Sequence, residues 1–195
     1  MCSWCWGFRA VRDQVRAALP DGTQVRYVMG GLAPDNAEPM DEDTRRFVQT
    51  AWKAVEETTG ASFNWEFWEA CQPRRSTYPA CRAVLVAESL RAGTGELIFD
   101  RIQEAYYCEA RNPSDTATLV ELGRELGLAG DEFERVLTSP EAQALLQADL
   151  DLRAELDVHS FPTLILDSGV ERIVLTQGYA DAEEVLARLP RDTPP

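Results

Sequence analysis

Residues 2–8 read Cys2-Ser3-Trp4-Cys5-Trp6-Gly7-Phe8, and residues 158–163 read Val158-His159-Ser160-Phe161-Pro162-Thr163. The first stretch opens a helix. From Trp6 to Leu19, Val11, Val15 and Leu19 recur at four-residue intervals among Arg, Asp and Gln, and Pro20-Asp21-Gly22 ends the run. A cysteine at a helix start sits beside unpaired backbone N–H groups and the positive end of the helix dipole, which favour thiolate over thiol. On this reading Cys2 is the nucleophile. Cys5, one turn deeper, is placed to attack the Cys2 sulfur of a mixed disulfide, so the pair can exchange electrons with a substrate dithiol.

Working outward, Thr23 to Leu32 (TQVRYVMGGL) alternates Val25, Tyr27 and Met29 with Gln24 and Arg26, the pattern of a half-buried strand. Residues 33–40 form a loop, and a long helical block follows. Asp41 caps a helix with Phe47, Ala51, Trp52 and Val55 as its inward stripe and Gly60 past its end. Further helices are predicted at about 80–92, stopped by Gly93, and at 95–110, 114–127, 131–137 and 140–156. Ser114 and Ser139 serve as caps, and Pro140 stands in a first turn. After Val158, Thr163–Leu166 and Arg172–Thr176 read as antiparallel strands joined by Asp167-Ser168-Gly169. Asp181 caps a last helix with Val185, Leu186 and Leu189 inward, and the tail RDTPP is expected to fray. The order αβ, helices, ββα predicts residues 1–40 and 157–195 as one discontinuous domain with a helical subdomain, residues 41–156, inserted.

Composition narrows the function. With 195 residues, 45% hydrophobic and 27% charged, the chain suits a single globular domain or one carrying an insertion. Its 33 acidic and 19 basic residues leave a formal charge of -14, the wrong sign for gripping nucleic acid. No apolar run reaches the ~18 residues of a membrane span, and no secretory signal pattern stands at the start, so neither nucleic acid nor membrane is an expected partner. The expected location is cytoplasmic. Five cysteines cannot all pair within one chain, and in a reducing compartment their spacing matters more than their count.

A lone Cys-x-x-Cys is also half of a zinc knuckle. Here no second such pair exists, His159 is the only histidine, and Cys71, Cys81 and Cys108 are widely separated, so redox chemistry is preferred and no metal is expected. The X-Pro bond at 161–162 can be cis at a strand entry, turning a backbone edge outward where an extended peptide can dock.

CSWCWGF, a long helical block, then HSFPTL, ββ and a final helix resembles the DsbA-like branch of the thioredoxin superfamily, in particular its cytoplasmic members. Stretches 76–83 (STYPACRA) and 109–115 (EARNPSD) share that resemblance. The resemblance implies an α/β, thioredoxin-like fold with a large helical insertion. It also implies a protein-disulfide oxidoreductase or isomerase without a bound cofactor. Cys2 would attack, Cys5 resolve, Ser3 and Trp4 tune the pair, and Pro162 face it as a cis-proline. Phe161 and Thr163 would flank that proline against substrate. The substrate would be a protein or small thiol or disulfide, with glutathione as a possible co-substrate; no oligomeric state is implied.

The family's fold begins with a strand leading into the cysteine pair, whereas only Met1 precedes Cys2. The first strand is therefore missing, and the expectation is a chain shortened at its N-terminus by about ten residues. Two rival readings remain: a glutathione-dependent isomerase or transferase, whose family members generally carry serine at the position of Cys2, and a non-enzymatic client-binding protein. Phe63, Trp65, Phe67 and Trp68 are expected to pack the helical subdomain. Cys71, Cys81 and Cys108 are expected as buried small residues, with a Cys71–Cys81 disulfide as an alternative for two of them. Arg74-Arg75 beside Ser76-Thr77 is a candidate anion site.

Overall fold

The computed structural model describes residues 1–190; the RDTPP tail and its expected fraying lie outside them. The expected first helix is divided at Phe8 into α1 (Ser3–Gly7) and α2 (Arg9–Ala18). Gly7, a weak helix former, precedes the break. The helical block comprises α3 (Glu42–Thr59), α4 (Phe67–Ala70), α5 (Tyr78–Leu90), α6 (Thr94–Cys108), α7 (Thr116–Glu125), α8 (Gly130–Leu137) and α9 (Pro140–Glu155). Strands β1 (Thr163–Asp167) and β2 (Arg172–Gln177) pair antiparallel, with a register shift between Leu164 and Ile165, and α10 (Ala182–Ala187) follows. This is a helix-rich thioredoxin-like architecture with a helical insertion.

Caps set the boundaries where expected. The Asp41 carboxylate accepts from Thr44 N at 2.7 Å and that of Asp181 from Glu184 N at 2.9 Å, and Gly60 ends α3 at φ 71°. Asp115, not Ser114, is the N-cap residue of α7, and Ser139 precedes α9 without a capping bond. The inward stripe of α3 is Val48, Trp52 and Val55, while Phe47 is exposed. Phe47 and Val48 both fit a four-residue spacing, and the fully buried Trp52 fixes the phase.

The extended stretch at 23–32 forms no ladder with any described residue, so the expected strand is not a strand here. Its backbone is held by the helical block instead. Met29 N donates to the buried carboxylate of Asp149 at 2.7 Å, Arg153 donates to Gly30 O at 2.9 Å, and Ala33 N donates to Thr77 Oγ1 at 3.0 Å. Polar side chains from α9 and the start of α5 take the place of a neighbouring strand. Val25, expected inward, is consequently exposed, and only Tyr27 and Met29 turn toward the interior.

Apolar packing falls into three clusters. Ile98, Ile102, Leu119, Leu122, Phe133 and Leu146 centre the helical block. Phe8, Val11, Val15, Leu175 and Val185 join α2, β2 and α10. Between the block and α1 lies an aromatic cluster around the fully buried Trp52, with the rings of Phe63, Trp65, Phe67, Trp68, Tyr106 and Tyr107 all within 5.8 Å of it. The four aromatics expected to pack the helical block do so.

Replacing Asp149 by Ala leaves the buried Met29 N–H without its acceptor. The expected result is a loss of about 1–3 kcal/mol of stability, read as a lower urea midpoint at unchanged slope.

Candidate active site

Cys2 is the N-cap residue of α1, with extended backbone (φ -105°, ψ 118°), and its carbonyl accepts from Cys5 N at 3.2 Å and Trp6 N at 3.3 Å. The helix that begins here is held down on its far side by close contact: Gly7 lies against Val55 and Thr59 of α3, where a side chain would collide. Trp6 stacks on Tyr107 at 5.4 Å, donates from Nε1 to Ser62 O at 3.1 Å, and carries the Arg9 guanidinium 4.8 Å above its ring. Ser3 is buried, and the half-buried Trp4 lies 5.5 Å from Tyr179.

The second stretch comes to the first across the whole chain. The Phe161–Pro162 peptide bond is cis, and the Cys2 thiol donates to Phe161 O at 3.8 Å. The loop is fixed from both sides. Gly178 N donates to Pro162 O at 2.7 Å, and Thr163 Oγ1 donates to Ser160 O at 2.7 Å. The Phe161 ring rests on Gly30, where even a methyl group would overlap it. Cys2, Cys5, Phe161, Pro162 and Thr163 are thus brought into one locality, with Ser3 and Trp4 on the helix between the two sulfurs.

The two thiols are electrostatically unequal. A hydrogen bond from the Cys5 thiol holds Cys2 down at about 6; burial opposes this, and the backbone N–H groups of Cys5 and Trp4 assist. Cys5 is pushed well up, because its proton is engaged by Cys2 and because it is buried beside that charge. The leading cause is therefore the neighbouring thiol rather than the dipole of α1, which has only five residues.

The other cysteines stay outside this arrangement. Cys71 follows α4 and donates to Ala110 O at 3.0 Å, Cys81 lies half-buried on α5, and Cys108 ends α6. Cys108 is exposed, contrary to the expected burial, because the buried side of the last turn of α6 is taken by Ala105, Tyr106 and Tyr107; all five thiols are free. His159 is exposed and pairs with Asp157 at 2.8 Å. Among the described residues no His, Cys, Asp and Glu cluster is arranged to hold a metal, and no helix is long and apolar enough to cross a membrane. Sequence reasoning missed Gly30, Gly178 and Tyr179. The Gly30-Gly31 pair inside an apparent strand was the available signal, since glycine in a strand marks close approach by another group.

A cysteine pair at a helix start, apposed to a cis-proline loop and separated from it in sequence by a helical insertion, defines the DsbA-like class of thioredoxin-superfamily proteins. Residues 1–183 match the family model described as Thioredoxin, and the chain belongs to that family. A putative protein disulfide isomerase from Nitrosomonas europaea superposes with a TM-score of 0.84 at 30% identity, covering 97% of this chain and 91% of that one. The cytosolic disulfide reductase DsbM from Pseudomonas aeruginosa superposes at 0.74 with 27% identity, covering 90% and 85%; its structure with GSH superposes at 0.73. The ClpXP adapter protein SpxH of Bacillus subtilis (strain 168) is 25% identical over 209 residues, spanning 100% of this chain and 68% of the adapter. The likeness to DsbA-type enzymes indicates an oxidoreductase acting on thiols and disulfides.

The ultraviolet absorbance of the Cys2 thiolate is expected to appear with a midpoint at about pH 6, so that alkylation rises through that pH and levels off above it. In Cys5→Ala the main stabilising bond is gone and the midpoint moves up toward that of an ordinary thiol. Gly30→Ala is expected to cost about 1–3 kcal/mol by forcing the Phe161 ring aside, measured by denaturant unfolding.

Proposed function

We propose that the protein is a thiol–disulfide exchange enzyme in which Cys2 attacks and Cys5 resolves. The observation that carries this reading is the convergence at Cys2: its sulfur is 3.8 Å from the carbonyl preceding cis-Pro162, while Cys5 lowers its pKa to about 6. In the reducing direction the Cys2 thiolate attacks one sulfur of a substrate disulfide. That bond breaks, the leaving sulfur departs as a thiolate that takes a proton, and a mixed disulfide remains. Cys5 then gives up its proton and attacks the Cys2 sulfur, releasing the second substrate thiol and leaving a Cys2–Cys5 disulfide. Two thiols are oxidised and one disulfide is reduced.

Pro162, with Phe161 and Thr163, offers a fixed backbone edge along which the substrate chain lies during the mixed-disulfide stage. Ser3 and Trp4 tune the pair from between its sulfurs. The cycle needs no bound cofactor; a small thiol, glutathione included, regenerates the dithiol. A cytoplasmic setting fits five free cysteines and the cytosolic designation of DsbM. A glutathione-dependent isomerase or transferase fits the same architecture less well, because both cysteines are retained.

A second reading, a client-binding protein, is favoured by the match to the adapter SpxH along the full length of this chain. Client capture that persists in Cys2→Ser/Cys5→Ser would support it.

Insulin reduction and refolding of scrambled RNase test the main reading. Cys2→Ala is expected to abolish both activities, and Cys5→Ser to accumulate a mixed disulfide with substrate through Cys2. Activity unchanged in Cys2→Ala would overturn the assignment.

A further inference from the structure

Residues 29–31 lie along α9, and two charged side chains of that helix hold them. Asp149 accepts from Met29 N at 2.7 Å, and Arg153 donates from Nη1 to Gly30 O at 2.9 Å. Leu150 sits so close to Gly31 (φ 61°) that a side chain there would collide with it. Asp149 and Arg153 stand four residues apart, the spacing at which opposite charges on one helix pair. They do not pair with each other. Asp149 takes Arg26 at 3.4 Å, and Arg153 has no ion pair with any described residue.

Stability alone gives little reason for this arginine. Its Nε is buried with no hydrogen-bond partner among the described residues, a costly state for a charged group that an apolar side chain of similar length would avoid. What Arg153 does hold is two walls of the candidate active site at once. Its main-chain carbonyl accepts from Val158 N at 3.1 Å, where the chain has left α9 for the Phe161–Pro162 loop. Its guanidinium holds Gly30, on which the Phe161 ring rests. Phe161 O in turn stands 3.8 Å from Cys2 Sγ.

We propose that Arg153 is a positioning residue for disulfide exchange. By clasping Gly30 and Val158 it fixes the seat of Phe161, and with it the backbone edge at Pro162 along which a polypeptide substrate lies. This rests on the oxidoreductase reading above and adds a residue that touches neither the sulfurs nor the substrate. A chain docked on that edge depends on how the edge is set against Cys2, so loosening the seat penalises polypeptide disulfides. A small disulfide reaches Cys2 without lying on the edge and is affected far less.

The test compares the unaltered protein with Arg153→Met, which keeps an unbranched stem and removes the donors. The quantity read is kcat/KM for insulin divided by kcat/KM for 2-hydroxyethyl disulfide. That ratio is expected to fall about tenfold, as for the loss of one charge-assisted hydrogen bond, and to fall mainly through a higher KM for insulin. Arg153→Lys retains a charged donor and should recover part of the loss. Val136→Ala, a truncation at a buried position of α8, weakens the helical block without touching the clasp and should leave the ratio within about twofold. If Arg153→Met does not fold, Arg153→Gln takes its place, since its shorter side chain also withdraws the donor from Gly30.

A ratio within about twofold of the unaltered protein's, or an equal fall in Val136→Ala, overturns the positioning role. If the unaltered protein exchanges neither disulfide, the oxidoreductase reading falls, and amide hydrogen exchange decides the clasp by itself. Gly178 N donates to Pro162 O at 2.7 Å, and its exchange should quicken about tenfold in Arg153→Met relative to that of Val185 N in α10. Unchanged relative exchange overturns the clasp.

Discussion

A sulfur anion in a half-buried position survives only where a donor faces it, and here the principal donor is a second thiol. The bond from Cys5 to Cys2 makes the outer sulfur acidic and the inner one reluctant to ionise. One contact thereby ranks the two groups: the Cys2 sulfur is charged near neutrality, and its neighbour keeps its proton. The cis-Pro162 loop meets Cys2 from the other end of the chain, and in the proposed reaction it is there that Cys2 would be presented to a substrate.

Most of the remaining structure holds those two stretches together. From below, the aromatic cluster around Trp52 supports Trp6 through Tyr107, and α3 receives Gly7 at close range. From the side, Asp149 and Arg153 of α9 hold the extended residues 29–30, on which the Phe161 ring rests. The helical block is therefore a support for the cysteine pair as well as a separate core. A change at Asp149, whose sequence position is far from the cysteines, acts at the wall of the site through Gly30.

Much of this was legible in the sequence because it is local. Helix stripes, the caps at Asp41 and Asp181, the stop at Gly60 and the hairpin about Gly169 all depend on residues a few positions apart. The Cys-x-x-Cys spacing and the proline before a strand are local too. What escaped depends on distant partners. The stretch at 23–32 has the alternation of a strand, but alternation does not provide a ladder, and its hydrogen bonds go to Asp149, Arg153 and Thr77. Phe47 was misplaced because two phases of one helix fit the same apolar residues until Trp52 decides between them. Gly30 could be noticed in the sequence, but the ring that requires it lies 131 positions away.

Arg9, Arg12 and Arg16 of α2 meet Glu104, Asp100 and Glu96 of α6 in antiparallel order. Because the rungs repeat at about one helical turn, sliding one helix by a turn would re-form two of the three pairs. Such a ladder attracts without choosing an alignment, much as a comb fits another comb at several offsets. The choice must come from contacts that do not repeat, and the pressing of Gly7 into the gap between Val55 and Thr59 is one of them. The smallest residue of the helix that carries the cysteine pair thus acts as the locating pin for a joint whose adhesive is charge.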